Sequence, residues 1–420
     1  MNAKSSSLIN VAITANILEW YDFSISGFMA IILGELFFAE HDTLTAVIKS
    51  FSVFAVSYLM RPLGSMAFGY LGNKRSPGVA LQWSTLLMAI PTIFMGFLPT
   101  YRDIGYSATV LMLMLRLIQG FAAGGEFPLS AYFVASHATD NNKGRLSSLV
   151  HVGGSLGVLL ASFVAFLIGS LFEDRDIERW AWRLPFLLGI PLFLIVWKIR
   201  NSMFDNQLLV QETPCRSRTG WATRSSTFIC GALLVASMEV GFYILLVWFP
   251  NYVEVFLRYS RFDAHLSNTL ALIVYTATIL TSGFLSSYLA HKKILIACLS
   301  SIVILTYPLF AALLHIHIFS LLLAVQFIFA MLYGGIGGVI LLTLYQLFKD
   351  KEKSLGLAVT FTVPTALFGG TAPLVCSYLV RQFHNLYLPA FYVAAFCLFA
   401  LPAAFSLADS GKQFYVGGTR

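Results

Sequence analysis

Twelve apolar stretches, most of them at least twenty residues long, divide this chain of 420 residues. About 20 consecutive apolar residues cross a bilayer as a helix. By that measure the spans are roughly 9–36, 46–72, 79–98, 107–136, 145–172, 183–199, 226–256, 265–290, 294–314, 318–348, 355–380 and 386–408. Several exceed the minimum, which implies tilt or extension beyond the hydrocarbon. Only 11% of the residues are charged and 58% are hydrophobic, whereas a soluble domain carries about 25% charged residues. The expected fold class is therefore all-α and integral to the membrane. Twelve spans place both termini on one side. With that side cytoplasmic, seventeen of the 27 Lys and Arg fall in cytoplasmic segments, six fall outside and four lie in or at the edge of helices. The excess predicts cytoplasmic termini. The opening MNAKSSSLIN runs into a segment too long for a signal-peptide core, so no cleavable leader is expected.

The longest polar stretch, Asn201 to Ser226, splits the chain into two six-helix bundles, 1–200 and 226–420, joined by a cytoplasmic linker at 201–225. The halves echo each other at an offset of 214 residues. Gly69 matches Gly283, and Gly120 and Gly124 match Gly334 and Gly338. Weak internal symmetry of this kind marks transporters built from repeats, with the substrate site near the midplane between them.

Charges inside the spans are the next constraint, because a charge at the bilayer centre costs about 2.5–3.5 kcal/mol on insertion scales and so faces a partner or a wet cavity. In the fourth span, RLIQGFAAGGEFP carries Arg116 and Glu126. At 1.5 Å per residue they stand about 15 Å apart and cannot neutralise each other. Glu19 and Asp22 share one face of helix 1; Asp22 is central, and Glu239 is central in helix 7. Acids at one depth on two repeats suit proton carriage, since desolvation favours the protonated carboxyl, and Asp22, Glu239, Glu126 and Glu19 are the candidates. The competing reading makes Asp22, Glu239 or both caps for polar packing beside Trp20, Tyr21 or Tyr243, and leaves Glu19, nearer the cytoplasmic end, simply hydrated. Arg116 either grips a substrate carboxylate or pairs with Asp22 for structure. Arg61 is expected toward the cytoplasmic half of helix 2, as part of a gate, and His151 is expected to be packed or hydrated. Among the aromatics, Trp20, Tyr21, Phe127, Tyr243 and Tyr333 could bound a small ligand or hold a quaternary ammonium. Gly153 with Gly157 and Gly369 with Gly370 read as close-packing seams. The five cysteines show no metal or disulfide spacing, and no cofactor is expected.

Several short motifs, in order, resemble the major facilitator superfamily and in particular its metabolite:proton symporter branch, which includes transporters of proline and betaine, 2-oxoglutarate, citrate and shikimate. They are NILEWYDF (16–23), RPLG (61–64), RLIQGFAAGGE (116–126), WRLPF (182–186), FPNY (249–252) and FGGTAP (368–373). The resemblance implies two six-helix bundles whose helices 1, 4, 7 and 10 line the cavity, and it places Arg116 at a family arginine tied to proton transfer or carboxylate contact. One motif departs from the pattern. The loop between helices 2 and 3, normally G-x-L-x-D-R-x-G-R-R/K, reads GYLGNKRSPG, with Asn73 in place of the acid, followed by Lys74 and Arg75. Its repeat from Gly283 has Ser287 at that place. The resemblance makes this loop a cytoplasmic latch, and losing its acid in both halves weakens that latch. With the chain ending at Arg420, no coiled-coil route to osmotic regulation is expected.

Other functions are disfavoured by what the sequence lacks. No G-x-x-x-x-G-K-[ST] loop supports an ATP-driven pump, and neither H-E-x-x-H nor G-x-S-x-G supports a membrane enzyme. The scattered positive charge follows the cytoplasmic bias and implies no nucleic-acid partner. The expected protein is a secondary active transporter, a proton symporter for a small polar metabolite, working as a monomer in the plasma membrane (the inner membrane of a Gram-negative cell). Central charges that are mostly acidic, Asp22, Glu126 and Glu239 against Arg116, favour a zwitterion over citrate. The alternative is a non-transporting sensor that keeps the binding fold.

Overall fold

The computed structural model describes residues 3–38, 42–74, 77–125, 127, 130, 131, 134, 143–205, 225–348 and 353–407. These residues are helical almost throughout, with no strand among them. The apolar helices are α1 (Asn16–Phe28 continued by Ala30–Phe37), α2 (Thr43–Leu71), α3 (Gln82–Phe97), α4 (Tyr106–Ala122), α5 (Gly144–Leu171), α6 (Ala181–Lys198), α7 (Ser226–Val255), α8 (Arg261–Leu285), α9 (His291–His315), α10 (Phe319–Leu347), α11 (Gly356–Phe383) and α12 (Leu388–Ser406); among the described residues α2 and α5 to α12 are each long enough to cross a membrane, α1 is a bent pair, and α3 and α4 are shorter. Each lies within or close to one of the twelve expected spans. The fourth differs most: its α-helix ends at Ala122 and tightens into a 3-10 turn over Ala123–Gly125, where consecutive glycines give the helix least support. Most of the expected linker lies outside the described residues.

Burial separates inner helices from outer ones. In the most apolar window of α7 and of α10, 78% is buried, against 28% in α9 and 33% in α6. These two helices, and α1, which is buried throughout from Leu18 to Gly34, thus belong to the set that the resemblance assigns to the cavity.

Neighbour relations repeat when helix numbers advance by six. In the first half α1 packs on α5 and α6, α2 on α4, and α3 on α4 and α6; in the second, α7 packs on α11 and α12, α8 on α10, and α9 on α10 and α12. Between halves, α5 lies against α8 and α10, α2 against α11, and α1 against α7. The α5–α8 and α2–α11 contacts exchange under that same shift, as two similar bundles facing each other require. Breaks in the helices follow the symmetry as well. α1 bends by 68° at Met29, and the position 214 residues on is Tyr243, where α7 widens into a π-helix over Tyr243–Trp248. A second π segment, Thr365–Gly369, interrupts α11. Such widenings cluster at functional sites because they redirect side chains and free carbonyls.

The glycines set how closely the helices cross. A Cβ on Gly120 would lie 1.8 Å from the Ser57 carbonyl oxygen, one on Gly64 1.8 Å from that of Phe121, and one on Gly124 2.0 Å from that of Arg61. The partner is backbone in each case and cannot turn aside. Gly338 is held similarly, 2.5 Å from the Ile279 carbonyl, so the matching glycine pairs form one seam per half, α2–α4 and α8–α10. Gly120→Ala is expected to destabilise the protein by about 1–3 kcal/mol, the range for overpacking, measured as a lower unfolding midpoint in detergent.

Candidate functional site

A small cavity with room for about one water molecule lies between the halves. It is lined by Trp20 of α1, Phe127, His151, Gly154 and Ser155 of α5, Met238 and Phe242 of α7, and Tyr275 of α8. Trp20 makes edge contacts with Phe127 and Phe242, each at 5.6 Å between ring centroids, and stacks against Tyr243 at 6.3 Å. Gly154 leaves room for that indole, since a Cβ there would stand 3.1 Å from it. His151 Nε2 and the Tyr275 hydroxyl are 3.2 Å apart and join the halves. Trp20 Nε1 and His151 Nδ1 are buried with no hydrogen-bond partner among the described residues. His151 and Tyr275 were not expected here. The repeat offset could have found the tyrosine, because Tyr275 stands 214 residues after Arg61.

Next to this cavity, on the α2 and α11 side, lies a charged cluster. The hydroxyls of Tyr58 and Tyr243 meet at 2.7 Å across the two halves. The guanidinium of Arg61 lies over the rings of Tyr58 at 4.1 Å and Phe23 at 4.3 Å, and its Nη1 stands 3.4 Å from Glu19 Oε1. Arg61 is 4% exposed and Glu19 is fully buried. This corrects one expectation: Glu19 pairs with Arg61 rather than resting in water, and Arg61 is buried between that carboxylate and the two rings. Glu239, fully buried, is an electrostatic neighbour of Arg61, Tyr58, Tyr243 and Tyr275. Two glycines of the α11 break make the space. A Cβ on Gly369 would lie 2.9 Å from that of Glu239, and one on Gly370 would run into the Tyr58 ring at 2.2 Å.

Asp22 occupies a separate place, inside the first half. Its Oδ1 accepts from the Thr92 hydroxyl at 2.7 Å, and Gln119 Nε2 donates to the same Thr92 oxygen at 2.9 Å. Arg116 is its electrostatic neighbour and sits 5.9 Å from the Phe186 ring centroid. Asp22 therefore meets Arg116 within one bundle, not across the cavity, because Thr92 of α3 draws the carboxyl away from α7. Tyr21 and Tyr333 also face into their own bundles. Tyr21 donates to the Pro185 carbonyl at 2.6 Å, and the Tyr333 hydroxyl lies 3.4 Å from Cys397 Sγ. Of the five aromatics expected at a ligand, Trp20, Phe127 and Tyr243 are central. Glu126 and Arg75 lie outside the described residues. Asn73 is described only as helical backbone, and Lys74 is exposed with its ammonium 5.7 Å from the Tyr70 ring centroid.

The sequence model of the Major Facilitator Superfamily matches residues 11–363. The chain belongs to the major facilitator superfamily. It is 30% identical over 427 aligned positions, covering 98% of this chain and 85% of the relative, to the glycine betaine/proline/ectoine/pipecolic acid transporter of Dickeya dadantii. It is 27% identical to the proline/betaine transporter of Escherichia coli, over 100% of this chain and 86% of that one. In three dimensions it resembles a D-xylose–proton symporter, with a TM-score of 0.77 at 17% identity over 97% of this chain and 98% of the other. A partially occluded, inward-open xylose transporter of Escherichia coli gives 0.75 at 16% identity, over 96% of this chain and 97% of the other. These structural likenesses carry the fold. With the family and its relatives they make the chain a membrane transporter rather than an enzyme.

Ion pairs join the two halves of this superfamily member at the end away from the helix 2–3 loop. Arg261, opening α8, bonds Asp174 of the first half at 2.5 Å and Glu254 of its own half at 3.1 Å, and Arg381 of α11 reaches Asp42, the N-cap of α2, at 3.5 Å. Asp174 and Asp42 are mostly exposed, so each bridge contributes at most about 1 kcal/mol. At the loop end, Gly283 and Gly144 hold α8 and α5 together, with Cβ positions 2.2 Å from the hydroxyls of Ser148 and Ser286. Gly69, the repeat mate of Gly283, meets nothing within 4 Å. Both ends therefore hold contacts between the halves while the centre keeps room for about one water. A metabolite can enter only when the halves move apart.

Proposed function

We propose that this transporter is a proton symporter for a small zwitterion of the proline or betaine class, with Asp22 as the carboxyl that carries the proton. The observation that carries the proton assignment is the seat of Asp22: fully buried on bent helix α1, held by Thr92 and facing Arg116. A buried acid beside a buried guanidinium has two stable arrangements. Ionised, it holds the arginine; protonated, it releases it, and α1 with its bend at Met29 is the element that meets α7 of the other half. A proton taken up there biases the packing of the halves by the difference in interaction energy between the two arrangements. The substrate class is supported by the named substrates of the relatives and by the aromatic centre around Trp20 and Tyr243, whose faces suit an ammonium group.

In this reading the halves are 1–200 and 226–420, both termini are cytoplasmic, and the protein acts as a monomer in the plasma membrane, which is the inner membrane in a Gram-negative cell. The test is uptake of labelled glycine betaine and proline by proteoliposomes, with and without an inward proton gradient. Accumulation that needs the gradient is expected; uptake indifferent to it would contradict proton coupling. A second reading, a sensor that binds without transporting, draws on Asn73 in place of the loop acid and on the open space around Gly69. It requires binding of the same compounds with no uptake.

A further inference from the structure

The centre holds an arginine and a glutamate that do not meet. Arg61 uses Nη1 toward Glu19, while its Nε and Nη2 are buried without a hydrogen-bond partner among the described residues. Both carboxyl oxygens of Glu239 are buried in the same condition. The two groups are close enough to interact electrostatically, yet no ion pair within 4.0 Å joins them among the described residues. Leaving buried charged groups unsatisfied costs more than leaving a neutral hydrogen-bonding group so. The arrangement therefore asks for something between them that is negative toward Arg61 and positive toward Glu239. Arg61 comes from the first half and Glu239 from the second. Tyr58 and Tyr243, hydroxyl to hydroxyl, lie alongside, and Trp20 stacks on Tyr243.

We propose that Arg61 and Glu239 form a split ion-pair site for a small zwitterion, with the guanidinium taking the carboxylate and Glu239 facing the ammonium. The proposal rests on the reading of this protein as a zwitterion carrier and assigns the two ends of the substrate to named groups. The free Nε and Nη2 form one edge of a guanidinium fork, suited to a carboxylate. The ammonium then lies between a carboxylate and the faces of Tyr243 and Trp20, where cation–π attraction adds to the ion pair. Because one group stands on each half, a bound zwitterion draws the halves together, as alternating access needs. Proton carriage is left to Asp22, so substrate and proton need not compete for one carboxyl.

The test measures binding to the purified full-length protein in detergent, by tryptophan fluorescence, for glycine betaine and for choline, which keeps the quaternary ammonium but has a hydroxymethyl group in place of the carboxylate. Wild type is expected to prefer betaine by about tenfold or more, the worth of one charge-assisted hydrogen bond or better. In Arg61→Gln that preference should fall toward parity, with Arg61→Lys between the two. Glu239→Gln should weaken betaine and choline alike, by about tenfold or more. The betaine-to-choline ratio does not depend on the folded fraction, so a partly unfolded variant still reports. If wild type binds betaine but Arg61→Gln keeps the full preference, or Glu239→Gln leaves betaine binding unchanged, the site is overturned and zwitterion transport stands. A wild type that binds neither betaine nor proline overturns both.

Discussion

Asp22→Asn should abolish accumulation of substrate driven by a pH gradient while leaving zwitterion binding and exchange measurable. The amide keeps the size of the carboxyl and can still receive the Thr92 hydroxyl at the 2.7 Å contact, so the local packing survives. What it loses is the charge that Arg116 sees and the capacity to take up and release a proton. A carrier that cannot change protonation state can swap substrate for substrate, but it cannot tie net movement to the gradient. The comparison is proteoliposome uptake with an imposed gradient beside exchange without one. Glu239→Gln separates from it by losing binding. If gradient-driven uptake survives in Asp22→Asn, the proton is carried elsewhere, by Glu239 or Glu126.

The second large effect comes from tying the halves together. Ser162 of α5 and Thr269 of α8 meet hydroxyl to hydroxyl at 2.8 Å, and Asn268 Nδ2 donates to Ser162 at 3.2 Å. These contacts lie toward the same end as the Asp174–Arg261 bridge, where α5 and α8 must part for that end to open. In a background lacking the native cysteines, the pair Ser162→Cys with Thr269→Cys should form a disulfide under mild oxidant. Transport should then fall to background and recover on reduction. A complete cross-link with undiminished uptake would mean that α5 and α8 never separate at this level.

Much of the architecture is legible in the sequence because lipid imposes a length and an apolar composition on every span, and because Gly64, Gly120, Gly124 and Gly338 sit where backbones cross too closely for a Cβ. The bend at Met29 is not legible, since no proline stands there and the break arises from packing against α7, where Gly27 meets Val247 and Asn251. Side-chain direction was the harder part. Helical spacing tells which residues share a face, but not whether that face looks into its own bundle or across to the other. Tyr21 and Tyr333 therefore resemble Trp20 and Tyr243 in sequence and differ in place. The surroundings of Arg61 are hidden for a related reason: spacing along α2 does not show that Glu19 of α1 and the rings of Phe23 and Tyr58 close around the guanidinium. The contact His151 makes is hidden in the same way, because its partner, Tyr275, lies in the other half, 124 residues away.

The central claim is that a proton moves with the zwitterion, and the direct measurement is the pH inside proteoliposomes. With a pH-sensitive dye trapped in the lumen, no imposed gradient and the membrane potential clamped, glycine betaine is added outside. Acidification of the lumen on addition is predicted for the wild type, abolished by a protonophore and absent in Asp22→Asn. Glycine betaine that enters without any change in lumen pH would contradict the account.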